Sequence, residues 1–249
     1  MRLIPLVLLL LATLAGAAER HAEARQAYLD GDSARALTLW TEIAAEEGIS
    51  ADLLAASGNA EWRLGRKGRA MVCWERALML DPGNPVAVAG LRHASAVGGV
   101  DRPEPRWHET YAGWLEADTW TLVGLASAWM LLLAWALPRL RGRRMGDVHH
   151  RAALVGATLL ALAGPGLWGS WSTRNRAVNR VPEESLKLTP TQMGEPVAVI
   201  GEGDVVRTGR RLNGHIRVEL AGGKIGWLRE YAAESVGGEG LPRPLDGAP

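Results

Sequence analysis

Three residue types return at a spacing of 34 positions in the first third of this chain: Gly31, Ala36 and Trp40 reappear as Gly65, Ala70 and Trp74. A fixed period of that length corresponds to one helix–turn–helix unit. In the second unit, Ala51 to Asn84, Gly58 lets a neighbouring helix come close and Gly65 forms the turn. Ala70, Trp74 and Ala77 give its second helix a small–large–small face, and Asp81-Pro82 closes the unit because proline cannot continue a helix. The first unit, Ala17 to Ser50, keeps Tyr28, Gly31, Ala36 and Trp40, with Ala24 for the packing glycine and Ile43 for the last alanine. A capping helix is predicted from Pro85 to near Ala96, with Arg92 facing out. Two units and a cap fall short of the roughly three repeats such arrays need for independence. The array is therefore expected to lean on the linker that follows it or on another protein.

These positions resemble the tetratricopeptide consensus, which implies a docking surface rather than chemistry. By that resemblance the first helices line a concave groove with His21, Arg25, Tyr28, Asn59, Trp62, Arg63 and His93. Asn59 stands where some family members hold a peptide main chain or C-terminal carboxylate, but Ala55 replaces the basic residue of those clamps. Arg25 and Arg63 offer pairing to acidic groups of a partner.

Three apolar stretches bear on location. Arg2, the run Leu3 to Leu14 and the small residues Ala15-Gly16-Ala17 form a secretory-signal pattern over 1–17, either cleaved after Ala17 or kept as an anchor. Trp120 to Leu137 and Ala152 to Trp171 carry no charge and are long enough to cross a bilayer, giving predicted spans at 119–138 and 152–171. Trp120, Trp135, Trp168 and Trp171 stand near their ends. Between them, over 139–151, lie Arg139, Arg141, Arg143, Arg144 and Arg151, whereas Glu109, Glu116 and Asp118 precede the first span. Positive loops stay in the cytoplasm, so the repeats and the C-terminal segment are expected outside, although Arg174, Arg176 and Arg180 after the second span oppose this. Gly124 and Ala128, with Ala153, Ala157 and Ala161, form four-spaced small ridges for helix packing. Gly164-Pro165-Gly166 is expected to kink or end the second span. The linker 98–118, with Trp107, Tyr111 and Trp114, reads as an interfacial helix or aromatic belt.

Beyond Arg176 the period changes. Val197 and Val199, Val205 and Arg207, the alternating Ile216 to Leu220, the Gly222-Gly223 turn and Lys224 to Leu228 predict a meander of short strands over 172–236. Leu186-Lys187-Leu188 with Thr189-Pro190, Gly203-Asp204-Val205-Val206, Ile216 to Leu220 and Gly226-Trp227-Leu228 resemble the bacterial SH3-like domain. On that resemblance His215 and Trp227 mark the ligand surface, with His215 where an aromatic is usual; a small structural barrel without ligand is the alternative. The Gly- and Pro-rich tail, 237–249, is expected to be disordered.

Composition adds exclusions. A net charge of +1 argues against nucleic-acid binding by counterion release. Cys73 is the one cysteine, so no intrachain disulfide and no zinc spacing exist. Gly201-Glu202-Gly203 lacks the context of a dinucleotide loop, no Walker lysine loop is present, and His149-His150 with Asp147 lack further metal ligands. No catalytic residue, metal or cofactor is predicted.

The order of signal, repeats, two spans and strand module resembles the BatE-type members of the Bacteroides aerotolerance operon family. The expected fold class is a multidomain membrane protein with all-α tetratricopeptide hairpins, two transmembrane helices and a small all-β SH3-like barrel. The resemblance implies a non-catalytic scaffold in the cytoplasmic membrane, partnered by the bilayer, by envelope proteins of the von Willebrand type and by a MoxR-class ATPase. Two other readings remain open. In one, the strand module binds peptidoglycan while the repeats recruit a wall enzyme; in the other, an accessory protein signals through the arginine loop.

Overall fold

The computed structural model describes residues 18–142, 146–238 and 240–242. The expected signal segment, Arg143 and Arg144, and most of the tail lie outside the described residues. Among the described residues, eight α-helices come first: α1 (18–29), α2 (Ser33–Glu47), α3 (Ala51–Arg63), α4 (Lys67–Leu80), α5 (Pro85–Val97), α6 (Trp107–Ala112), α7 (Ala117–Leu140) and α8 (Asp147–Arg174). Seven strands follow: β1 (Arg176–Asn179), β2 (Glu183–Lys187), β3 (Pro196–Gly201), β4 (Val205–Leu212), β5 (His215–Glu219), β6 (Ile225–Arg229) and β7 (Ala233–Ser235). They form one open antiparallel sheet in the order β3-β2-β6-β5-β4-β1-β7.

The hairpins α1–α2 and α3–α4 turn at Gly31 and Gly65, whose φ of 90° and 76° disfavour any side chain. Capping fixes the starts. Asp32 accepts from the Arg35 amide, Ser50 from Leu53, and Asn84 from Ala87 with Pro85 in the first turn; each such cap contributes about 1 kcal/mol. Trp74 is fully buried between α3 and α5, and it fits because Gly58 and Gly90 carry no Cβ to meet its ring. Asp81 ends α4, and α5 is the expected cap.

α7 and α8 are long and apolar enough to cross a membrane, and only 22 % of each span is buried inside the molecule. A core helix of a soluble protein would be mostly covered. Their mutual seam runs through Gly124, Ser127, Leu131, Ala134 and Pro138 of α7 and through Gly156, Ala163 and Gly166 of α8. This is heptad spacing. The expected ridge was therefore misplaced: Gly124 lies on the seam, but Ala128, Ala157 and Ala161 are exposed. A strict four-residue step gains about 40° per step on a 3.6-residue helix and walks off the contact line. Pro165 does not end α8, which runs through it to Arg174. His149, His150 and Arg151, expected in the loop, belong to the first turns of α8.

The strand module is joined to the hairpins by a shared core. One face of the sheet buries Leu186, Ile200, Val206, Ile216, Val218 and Leu228. Val178, Val205 and Val236 instead enter the cluster of Leu54, Met71, Val72, Trp74 and Leu91, with Val100 of the linker. The support that the short array requires is thus supplied by its own chain. The start of the tail also takes part, contrary to the expected disorder. Leu241 packs on both helical clusters, and the Gly240 carbonyl accepts from Arg76 at 2.9 Å.

Candidate partner-binding groove

The inner helices α1, α3 and α5 leave a groove of about 510 Å³. Tyr28, Asn59, Trp62, Arg63 and His93 line it together, as expected from the sequence. Pro85, Val86, Ala89 and Gly90 of α5 complete the wall; of this helix only His93 was expected from the sequence. Arg25 is exposed on α1, one turn before Tyr28, and is not part of the lining. His21 faces Glu47 at 3.1 Å instead.

The groove side chains are held in place by contacts beneath them. The Arg63 guanidinium lies 3.8 Å from the centre of the Tyr28 ring and donates to the Tyr28 carbonyl at 2.8 Å. Trp62 meets Trp74 at 5.6 Å and His93 edge-on at 5.7 Å. Asn59 accepts from the Trp74 indole N–H at 3.2 Å, so its amide oxygen is already engaged. Ala55 is fully buried in the helical core, below the groove floor. The result is an apolar, aromatic trough with Arg63 and His93 exposed at its rim.

The strand register places the two residues expected on the strand-module surface, His215 and Trp227, on one face of the sheet, opposite the face that buries Ile216, Val218 and Leu228. His215 is 6 % exposed, with Nδ1 2.9 Å from the Asn213 carbonyl oxygen, and Trp227 is half-buried between the Lys187 and Arg217 rungs. The His215 ring packs against the β4–β5 turn, and its Nε2 is buried without a partner.

A second polar centre, invisible in the sequence, ties linker, helices and sheet. Arg176 pairs with Glu109 at 2.6 Å and with Glu75 at 3.5 Å, and Glu75 also binds Arg102. Arg76 and Arg180 both reach Glu234. Burial pushes the Glu75 carboxyl up, but Arg102 and Arg176 outweigh it and the net direction is down. Glu109 is likewise raised by burial, then pulled down to about 2 by the Arg106 amide, Arg176 and Ser172. Burial pushes the Cys73 thiol up and away from the reactive thiolate. Among the described residues no group of three or more His, Cys, Asp or Glu is placed to hold a metal.

No protein-family model, curated protein or solved structure matches the chain.

Proposed function

We propose that this chain is a non-catalytic membrane-tethered adaptor, built from a tetratricopeptide pair with a cap, two transmembrane helices and an SH3-like strand module. The observation that carries the reading is the open aromatic groove in which Tyr28, Asn59, Trp62, Arg63 and His93 converge. In this reading α7 and α8 anchor that groove at the outer face of the cytoplasmic membrane, with the arginine loop inside. Two of the three arginines that argue against this orientation have a second use: Arg176 and Arg180 are buried in ion pairs with Glu109 and Glu234. The aerotolerance-type scaffold resembled by the domain order supplies the partner class, envelope proteins of the von Willebrand or MoxR-associated kind. The peptidoglycan reading is less well supported, since His215 is internal.

The test places a photoreactive residue at Val86, on the groove wall, and at Arg92, exposed on the same helix outside the groove. In native membranes the Val86 position should crosslink a membrane protein and the Arg92 position should not. The Val86 adduct should disappear in Trp62→Ala. Equal labelling from both positions would remove the groove as the docking site. Periplasm-active reporters fused after Gly98, Arg144 and Val236 should read outside, inside and outside.

A further inference from the structure

Where α8 leaves its apolar stretch, a second cavity of about 350 Å³ opens between α6, the end of α8 and the sheet. Arg106, Arg207 and Arg217 line it from three separate segments, and Trp168, Trp171 and His108 close the side toward the helices. Arg217 is exposed, and its side chain has no ion pair or hydrogen bond among the described residues. Arg207 has its Nε buried without a partner. His108 is 4 % exposed and stacked flat on Trp168 at 4.4 Å, and its Nδ1 is also buried and unpartnered. The lining carries three guanidiniums against one carboxylate, Glu219, which stands 3.2 Å from Arg106 and 4.0 Å from Arg207. Glu109 behind the cavity also reaches Arg207, at 3.5 Å, but its close partner is Arg176.

We propose that this cavity binds a phosphate group, and that its occupant is the headgroup of an anionic phospholipid. Guanidinium forks match phosphate oxygens, and their bonds are charge-assisted. The buried imidazole and the Arg207 Nε lack the partner that buried polar groups normally have. Trp168 and Trp171 set the depth: exposed indoles at the end of a spanning helix sit at headgroup level, where a lipid phosphate lies. This assignment rests on the reading that α7 and α8 cross the bilayer, whereas the phosphate chemistry does not.

The experiment uses the full chain in detergent. Native mass spectrometry measures retention of added phosphatidylglycerol and, separately, phosphatidylcholine; inorganic phosphate is then added as competitor. Arg217→Gln removes the unpaired guanidinium without breaking an ion pair, and Arg210→Gln, an exposed arginine of β4 outside the cavity, makes the same charge change elsewhere. The expected result is retention of phosphatidylglycerol over phosphatidylcholine, weakened about tenfold in R217Q and unchanged in R210Q. Displacement by inorganic phosphate at comparable concentration would assign the site to a soluble phosphate ester and overturn the lipid. Equal retention of both lipids would overturn the anionic headgroup, and equal loss in both variants would overturn the cavity itself. Carbonate extraction of membranes checks the spanning reading on its own. If carbonate releases the chain, the lipid assignment falls, and binding of inorganic phosphate sensitive to R217Q decides the phosphate site.

Discussion

The Gly68 amide donates a 2.9 Å hydrogen bond to the Glu202 carboxylate, joining the first turn of α4 to the turn between β3 and β4. The contact spans 134 positions and works only because both backbones come close. A Cβ on Gly68 would stand 3.0 Å from the Arg180 Cα and 3.0 Å from the Asn179 carbonyl oxygen. Neither of those atoms is the yielding end of a flexible side chain.

Gly68→Ala should therefore loosen the docking of sheet on hairpin, at a cost of about 1–3 kcal/mol as overpacking against fixed backbone. Thermal unfolding of the full chain measures it. Gly113→Ala serves as control, since its Cβ would meet the Thr110 and Glu109 carbonyls at ordinary contact distances, 3.4 and 3.7 Å. Equal stability of the two variants would mean the interface is softer than its geometry implies.

The hairpins alone should not fold cooperatively. A fragment of residues 18–97 loses Val100, Val178, Val205 and Val236, which cover Met71, Val72 and Leu91. It also loses the Glu234 partner of Arg76. Helical content by circular dichroism should melt broadly with temperature, and a fragment extended through residue 242 should regain a single sharp transition. A sharp transition in the short fragment would show that the sheet is dispensable.

The helical half of this architecture was legible because its signals are local. Trp74 at the repeated position needs glycine opposite it, and Gly58 is present in the same unit. Asp81 before Pro82 stops α4 where the backbone must stop. Strands β3 to β6 were also readable from alternation and turn residues, whereas β2 entered only through Leu186-Lys187-Leu188 in the SH3-like resemblance. The Asn213-Gly214 turn of the β4–β5 hairpin, with φ of 50° and 70°, is a strong signal that the alternation alone did not use. β1 and β7 were missed. Arg176 to Asn179 is buried at every position, so it shows no alternation, and Ala233–Ser235 is three residues long. The union of the two halves could not be read at all. It depends on charges such as Glu75, Arg176 and Glu109, which in a linear sequence look like solvated surface and in the fold neutralise one another. The groove was half legible for a different reason: Tyr28, Asn59 and Trp62 follow the repeat, whereas Val86 and Ala89 enter through the cap.

Glu109→Gln should be among the most damaging polar substitutions. Its side chain is 1 % exposed and accepts from Ser172 at 2.8 Å and from Arg176 at 2.6 Å. The glutamine leaves the Arg176 guanidinium, 3 % exposed, with Glu75 as its remaining counter-charge at 3.5 Å. Uncovering a buried charge in this way costs about 3 kcal/mol. Glu219→Gln, whose carboxylate is 35 % exposed beside Arg106, should cost about 1 kcal/mol or less. Chemical denaturation of the two variants should separate them clearly, and a Glu109 effect no larger than that of Glu219 would argue that the joint is already neutralised by Glu75.

The same joint sets the acid limit. Glu109 has its carboxyl lowered from the ordinary 4.5 to about 2, and Glu75 is shifted in the same direction by Arg102 and Arg176 against the effect of burial. A carboxyl lowered by folding binds fewer protons in the native state than in the unfolded one, so stability rises with pH across that interval. The contribution is complete above about pH 4.5 and is lost as the pH falls toward 2. Asp204 works the other way, because burial raises it from 3.8 despite the Asp101 and Gly201 amides, so its contribution is full below 3.8 and fades as pH rises above it. Two lowered carboxyls against one raised carboxyl leave a net loss on acidification. The melting temperature of the full chain should fall steadily from about pH 4.5 downward, and Glu109→Gln should flatten that slope while starting from a lower value at neutral pH. An acid slope of wild-type size in the variant would assign the titration to other carboxylates and detach Glu109 from the acid response.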